Sequence, residues 1–182
     1  MAGREVLLDA FTRIDDSLHR ILPDLSEDEL SREPHPSIGW LSWRVTRVAD
    51  SNIARLWGRE QLWIGDGWHA RFNMPPEPAD FGRAVSHNRA QVKAFHASSE
   101  LLLAYQDASH AQVLAYLDQV TPEELDRELD EPQYDPLPTV AVRLISVVEN
   151  GMHNAGQMGY LKAIHRLGGW FPAEAPDRTL YR

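Results

Sequence analysis

Four long segments of this chain carry apolar residues at the three- and four-residue spacing of an amphipathic helix. They are Glu5 to Leu22, Ile38 to Trp57, Ser99 to Val120 and Val140 to about Leu167. We find no convincing pattern of alternating apolar and polar residues, which would indicate a β-strand. Each helix must bury its apolar face against another element, so the four together predict an all-α fold. We expect one domain over residues 1–182, an up-and-down four-helix bundle.

Local signals mark where several helices begin and end. Ser26-Glu27-Asp28-Glu29 has the pattern of a capping box, and Thr121-Pro122-Glu123-Glu124 has a cap followed by proline and acids. Each predicts a short helix. Thr139 is expected to cap the fourth long helix, Gly58 to end the second, and Gly168-Gly169 to end the fourth.

The segment from Glu60 to Ala84 interrupts the helical pattern with many glycines and prolines and carries Trp63, Trp68 and Phe72. We therefore predict a long, irregular, aromatic-rich excursion after the second helix. A loop of this length is commonly packed onto its domain and often covers a site.

Composition excludes several classes of function. The formal net charge is −9, and lysines and arginines form no cluster, so we expect no binding to nucleic acid. The chain has no cysteine, which excludes disulfides, thiolate metal sites and a cysteine nucleophile. Met1 to Phe11 lacks the apolar core of a signal peptide, and no apolar run approaches the roughly 20 residues of a membrane helix. We expect a cytoplasmic protein that does not bind membranes.

The fourth helix carries polar residues where its pattern predicts apolar ones. Asn154 falls on the stripe that should face the core, with Asn150 and Gln157 on the same side. Glu149 and His153 form an i, i+4 pair on the neighbouring side. An unpartnered buried polar group costs about 1–3 kcal/mol, so this row should line a cavity or complete a network. Alternatively, the amides only fix the register of the bundle.

The second helix places a cation, Arg44, beside two aromatic residues, Trp40 and Trp43. One interpretation is an arginine stacked on tryptophan at the surface. The other has Arg44 pointing inward, toward the fourth helix.

The stretch IGWLSWRVTRVADS, followed much later by ENGMHNAGQMGYL, resembles the DinB-like superfamily. The likeness is closest to an actinobacterial branch near the metal-binding domain of mycothiol-dependent maleylpyruvate isomerase. It covers nearly the whole chain and implies a four-helix bundle that is often a homodimer. The resemblance also implies a divalent metal held by three histidines, one from the second helix and two, spaced i, i+4, from the fourth. Characterised relatives include transferases and isomerases that depend on low-molecular-weight thiols.

The chain departs from the family pattern at the ligand positions that the resemblance implies. Arg44 stands at the position on the second helix, and Asn150 and Asn154 stand at the two on the fourth. A guanidinium cannot ligate a metal, and carboxamides are poor ligands for zinc or nickel. We therefore expect no bound metal.

A one-residue shift of register would place Glu149 and His153 at the fourth-helix ligand positions instead. A third ligand would still be missing unless His35 or His69 reached in from a loop.

Two hypotheses about function follow. The first is a small-molecule pocket protein with a degenerate metal site, whose ligand is an anion and whose activity is that of a thiol-dependent transferase or isomerase. A thiol cofactor is implied by the resemblance alone. The ligand-binding residues would be Arg44, Asn150, Asn154 and Gln157, and His153, oriented by Glu149, would be the general base. The alternative is a non-catalytic structural or interaction protein with a packed polar network.

The aromatic content also predicts a homodimer. Several aromatic residues lie near helix ends or in loops, where a monomer's core can cover only some of them: Trp57, Trp63, Trp68, Trp170 and Phe171. The competing interpretation is that the excursion folds back and uses Trp63 and Trp68 to seal its own domain.

Overall fold

Four long helices form the body of the structure, a computed structural model that describes residues 2–80 and 87–166. The helices are α1 (Ala2–Ile21), α2 (Glu27–Ser31), α3 (Ile38–Trp57), α4 (Leu62–Gly65), α5 (Trp68–Arg71), α6 (Arg89–Lys93), α7 (Ser99–Gln119), α8 (Pro122–Asp126) and α9 (Val140–His165). The predicted all-α fold is confirmed. Within these ranges, no helix combines the length and the apolar character that crossing a membrane requires.

The predicted helix caps are present. The Ser26 hydroxyl accepts from the Glu29 amide at 3.3 Å, and the Glu29 carboxylate accepts from the Ser26 amide at 3.0 Å. This backbone hydrogen bond and the nearby Arg166 guanidinium lower the pKa of Glu29 to about 2. Thr139 caps α9, and Gly58 ends α3 in the left-handed conformation, with φ of 67°. Gly168-Gly169 lies outside the described residues.

The helices α3 and α7 run in the same direction. The Thr46 hydroxyl donates to Gln106 Oε1 at 2.8 Å, and eleven residues further along α3 the Trp57 ring lies 5.8 Å from that of Tyr116. Because both contacts advance together along the two helices, α3 and α7 are parallel neighbours.

The helix α1 runs opposite to α7 and parallel to α9. Arg4, near the start of α1, pairs at 2.5 Å with Asp118, near the end of α7. Lys162, near the end of α9, donates at 2.6 Å to the carbonyl of Ile21, at the end of α1. The order of directions is therefore up, down, down, up, and the predicted up-and-down alternation is wrong. The long segment between α3 and α7 returns the chain to the end where α3 began, so the next helix runs parallel to α3.

The excursion packs its aromatic rings into the core. Trp63, Trp68 and Phe72 are all buried. The Trp68 ring stacks on Tyr105 of α7 at 5.0 Å, and the Trp63 ring meets Trp43 of α3 edge-on at 6.0 Å. Trp63 and Trp68 therefore seal their own domain, and the expectation that they line a dimer interface is wrong. Trp170 and Phe171 lie outside the described residues.

A fully buried carboxylate, Asp50, ties the excursion to α3. Asp50 accepts hydrogen bonds from the backbone amides of Leu62 and Trp63, each at 2.9 Å, and from the Tyr105 hydroxyl at 2.7 Å. Its ionic partner is Arg47, at 3.3 Å. Burial raises the pKa of Asp50, whereas the hydrogen bonds from Tyr105 and Trp63 and the charge of Arg47 act in the opposite direction. Burial and the Asp50 carboxylate raise the pKa of Tyr105 well above its ordinary value, which keeps the hydroxyl protonated as a donor.

The guanidinium of Arg47 is equally buried and reaches the far side of the excursion. It donates to the carbonyl of Asp80 at 3.0 Å and to Gln61 Oε1 at 2.9 Å. It also lies 4.7 Å from the centre of the Trp63 ring. Arg47 and Asp50 therefore hold both ends of the described excursion against the bundle.

We predict that Asp50→Ala lowers the free energy of unfolding by about 3–5 kcal/mol, because it leaves the Arg47 guanidinium buried without its counter-charge. Urea denaturation followed by circular dichroism measures this change. The matched control is Asp118→Ala, which removes an exposed ion pair and should cost less than about 1 kcal/mol. Equal effects of the two substitutions would contradict the importance of the buried pair.

Candidate functional site

Arg44 and Asn154 meet where the first half of α3 crosses the second half of α9. Arg44 Nη1 donates to Asn154 Oδ1 at 3.4 Å, a long hydrogen bond. Asn154 is 2% exposed, and Arg44 is half-buried. The inward orientation of Arg44 proposed from the sequence is therefore the observed one, and these two predicted site residues lie together.

Asn150 lies one helical turn before Asn154 and borders the same contact. The Asn154 amide group donates to the backbone carbonyl of Asn150 at 2.6 Å. The Oδ1 atom of Asn150 is buried and has no hydrogen-bond partner among the described residues. A buried carboxamide oxygen of this kind is an acceptor available to a ligand or to water.

Three aromatic rings, those of Trp40, His87 and Trp43, pack together beside Arg44. Its guanidinium carbon lies 5.9 Å from the centre of the Trp40 ring, and Trp40 Nε1 donates to His87 Nδ1 at 3.0 Å. Because an indole N–H can only donate, Nδ1 of His87 accepts and Nε2–H donates to Asp80 Oδ2 at 2.9 Å. The His87 ring also stacks on Trp43 at 5.1 Å.

His87 and Asp80 were not among the site residues predicted from the sequence. They lie in irregular segments, where no periodicity indicates which face a side chain occupies.

The remaining predicted site residues lie toward solvent. His153 Nδ1 and Glu149 Oε1 are 2.8 Å apart, as an i, i+4 pair should be, but their side chains are 73% and 60% exposed. Gln157 is also exposed. The predicted row of three amides therefore passes from the interior at Asn154 to the surface at Gln157. The Glu149–His153 pair faces outward, away from the contact between Arg44 and Asn154.

The residues at the expected ligand positions do not fit a divalent metal. The set of Arg44, Asn150 and Asn154 offers one permanent cation and two neutral carboxamides. The loop histidines considered as replacements have contacts of their own. His69 Nδ1 lies 3.3 Å from the Met74 carbonyl, and His35 Nε2 lies 3.8 Å from the Glu33 carboxylate.

Within residues 2–80 and 87–166, one group of three potential metal ligands does come together, and the sequence did not predict it. It consists of Asp15, His19 and Asp107, on the outside of α1 and α7. His19 Nε2 pairs with Asp107 at 3.0 Å. Burial lowers the pKa of His19, but hydrogen bonds and charges of Asp15 and Asp107 outweigh it, and the net shift is upward. These contacts form an ion pair at the protein surface.

Comparison with known proteins places this fold in a family. The model of the DinB superfamily matches residues 3–158, and the chain belongs to that superfamily. A crystal structure of a conserved protein from Enterococcus faecalis is similar, with 27% sequence identity and a TM-score of 0.78. The match covers 88% of this chain and 95% of that one. No match was found among curated proteins.

We predict that the purified protein carries no stoichiometric zinc, nickel or iron, because the expected ligand positions hold Arg44, Asn150 and Asn154. The triple variant Arg44→His, Asn150→His, Asn154→His should gain about one zinc ion per chain, measured by elemental analysis after dialysis. Arg44→His alone is the control and should gain none. His19→Ala removes the histidine of the surface group formed with Asp15 and Asp107. If the wild type and this variant both retain about one transition-metal ion per chain, the prediction is wrong.

Proposed function

We propose that this member of the DinB superfamily binds a small carboxylate ligand at Arg44 without a metal ion. The observation that supports the proposal is the contact of Arg44 with Asn154 where α3 crosses α9. The family resemblance implies that a divalent cation would bind at these positions. A permanent guanidinium supplies positive charge at that position and needs no ion to do so.

The neighbours of Arg44 supply the other properties of such a site. Guanidinium binds carboxylate with two parallel hydrogen bonds, which fixes orientation as well as charge. The Trp40 ring gives the ligand an apolar surface, and the buried Oδ1 of Asn150 can accept from a hydroxyl on the ligand. The ligand class is therefore a small, partly apolar carboxylic acid, with a hydroxyl group where it reaches Asn150.

The resemblance to the maleylpyruvate isomerase branch supports a finer proposal, that the carboxylate is a substrate in a transferase or isomerase reaction that uses a low-molecular-weight thiol. The expected cytoplasmic location belongs to the same proposal. His153, with Glu149, remains the predicted general base. The exposure of both side chains on the outer side of α9 argues against that role.

A second candidate function is a non-catalytic structural or interaction protein. The observation in its favour is the tight interior between the long helices. A cavity of about 20 Å³ there has room for about one water molecule. In this alternative, Arg44, Asn150 and Asn154 form a packed polar network, and their hydrogen bonds serve to align α3 with α9.

Binding of maleate, measured by isothermal titration calorimetry, tests the carboxylate site. We predict that Arg44→Met raises the Kd for maleate roughly 10- to 100-fold, because it removes a charged hydrogen-bond donor. The matched control is Arg59→Met, since Arg59 also lies over a tryptophan, with its guanidinium carbon 3.4 Å from the Trp57 ring centre. The control should bind maleate as the wild type does.

Two results would count against the carboxylate site. Equal maleate affinity of the wild type and Arg44→Met would show that any bound anion lies elsewhere. Failure of the wild type to bind, together with a loss of more than about 3 kcal/mol of stability in Arg44→Met, would favour the packed polar network.

A further inference from the structure

The carboxylate of Glu131 is buried, although neither the Arg47–Asp50 pair nor the candidate site uses it. The residue is 2% exposed, and glutamate is rarely buried this far unless it is paired. Arg143 of α9 donates to Glu131 Oε2, and Nη1 of Arg55, on α3, lies 3.1 Å from Glu131 Oε1. Glu131 therefore bridges two arginines that come from different helices.

The backbone between α8 and α9 holds Glu131 in this position. The Leu129 amide donates to the Pro138 carbonyl at 2.8 Å, and the Val140 amide donates to the Arg127 carbonyl at 3.0 Å. The side chains of Leu129 and Val140 are buried. The loop is thus closed at its base, and it presents Glu131 to α3 and α9 as a fixed group.

A cavity of about 190 Å³ opens beside this bridge. Three arginines from three elements border it together with Glu131, and they are Arg55, Arg127 and Arg143. Arg55 lies eleven residues beyond Arg44 on α3, or about 16 Å at roughly 1.5 Å per residue. The cavity is therefore a different site from the one at Arg44.

The charged groups at this cavity favour an anion. Arg55 and Arg143 share the single negative charge of Glu131, so two guanidinium groups and one carboxylate leave one positive charge. Arg127 has its own partner, Glu124, at 2.7 Å. Each guanidinium has five N–H donors, and each keeps some of them for a ligand.

Glu131 also offers the cavity an acceptor. Its Oε1 atom is buried and has no hydrogen-bond partner within residues 2–80 and 87–166. The contact with Arg55 at 3.1 Å is thus an ion pair without the alignment of a hydrogen bond. Because a buried acceptor without a donor is unfavourable, this oxygen would hold a hydroxyl group of a bound ligand.

We propose that this cavity binds a small phosphate ester that carries a hydroxyl group. A phosphoryl group presents three oxygens, one for each guanidinium, whereas a carboxylate presents only two. Arginine is also the side chain whose donors best match phosphate geometry. The cavity is smaller than the roughly 300 Å³ at which pockets for drug-sized ligands begin, so the ligand has only a few carbon atoms. The inference does not depend on the carboxylate site at Arg44.

Isothermal titration calorimetry of the full chain with glycerol 3-phosphate, in a buffer without phosphate, tests the site. We expect the wild type to bind with a Kd below about 1 mM. Arg55→Met should raise this Kd roughly 10- to 100-fold, because it removes a charged donor. The Arg55 side chain is 66% exposed, so the variant should fold, which circular dichroism checks. The matched control is Arg89→Met, an exposed arginine on α6, which should bind as the wild type does.

Two related compounds, titrated into the wild type, test which groups of the ligand are recognised. Propyl phosphate has no hydroxyl group and should bind at least roughly 10-fold more weakly, because it leaves Glu131 Oε1 without a donor. Glycerate keeps its hydroxyl groups but carries a carboxylate in place of the phosphoryl group. It should also bind at least roughly 10-fold more weakly.

A gain of affinity provides a further test. Asp130 also borders the cavity, and its exposed carboxylate repels an anion there. Asp130→Asn should therefore lower the Kd for glycerol 3-phosphate roughly 2- to 5-fold.

Several results would overturn the proposal. One is the absence of glycerol 3-phosphate binding to the wild type up to about 10 mM. Another is equal affinity of the wild type and Arg55→Met, because the anion then lies elsewhere. Propyl phosphate or glycerate that binds as tightly as glycerol 3-phosphate overturns the ligand class. Weaker binding by Asp130→Asn overturns the position of the phosphoryl group in this cavity.

Discussion

The buried ion pair of Arg47 and Asp50 is the contact on which the rest of the structure depends. It holds the aromatic excursion on α3, and through the Asp80 carbonyl it fixes the end of the described part of that excursion. The Asp80 carboxylate in turn orients His87, and His87 orients the Trp40 ring beside the candidate site. Through this series of contacts, the geometry of the candidate site depends on an ion pair in the core.

A buried ion pair is a poor source of stability by itself, because the cost of removing two charges from water can exceed their attraction. In this protein the ion pair favours one arrangement of α3, α7 and the excursion over the alternatives. Apolar faces alone would let α7 pack on α3 in either direction. The Asp50 carboxylate needs the Tyr105 hydroxyl and the amides of Leu62 and Trp63 together, and only the parallel arrangement, with the excursion folded back, brings all three to it.

The helices could be predicted from sequence because their signals are local, whereas the directions of the helices could not. Spacing and caps placed α3 and the start of α9 correctly, but the long segment between α3 and α7 carries no periodicity that shows where it leads. Arg47 was missed for a related reason. A second row of residues at helical spacing runs along α3 beside its apolar stripe and consists of Trp40, Trp43, Arg47 and Asp50. The excursion covers this row, and the sequence could not show where the excursion packs. Asn154 could be predicted because it interrupts an apolar stripe on a single helix.

The helices α9 and α1 differ in the residues on their outer sides. The outer side of α1 is charged, with Asp9 and Arg13 paired at 2.6 Å and both well exposed. The helix α9 buries Leu144 and Val147 on one side and exposes Val142 and Ile145 on the other. Polar residues interrupt the outer side of α9, since Glu149 and His153 lie there and are exposed. The bundle covers only the inner side of α9, and Val142 and Ile145 therefore stay at the surface of the single chain.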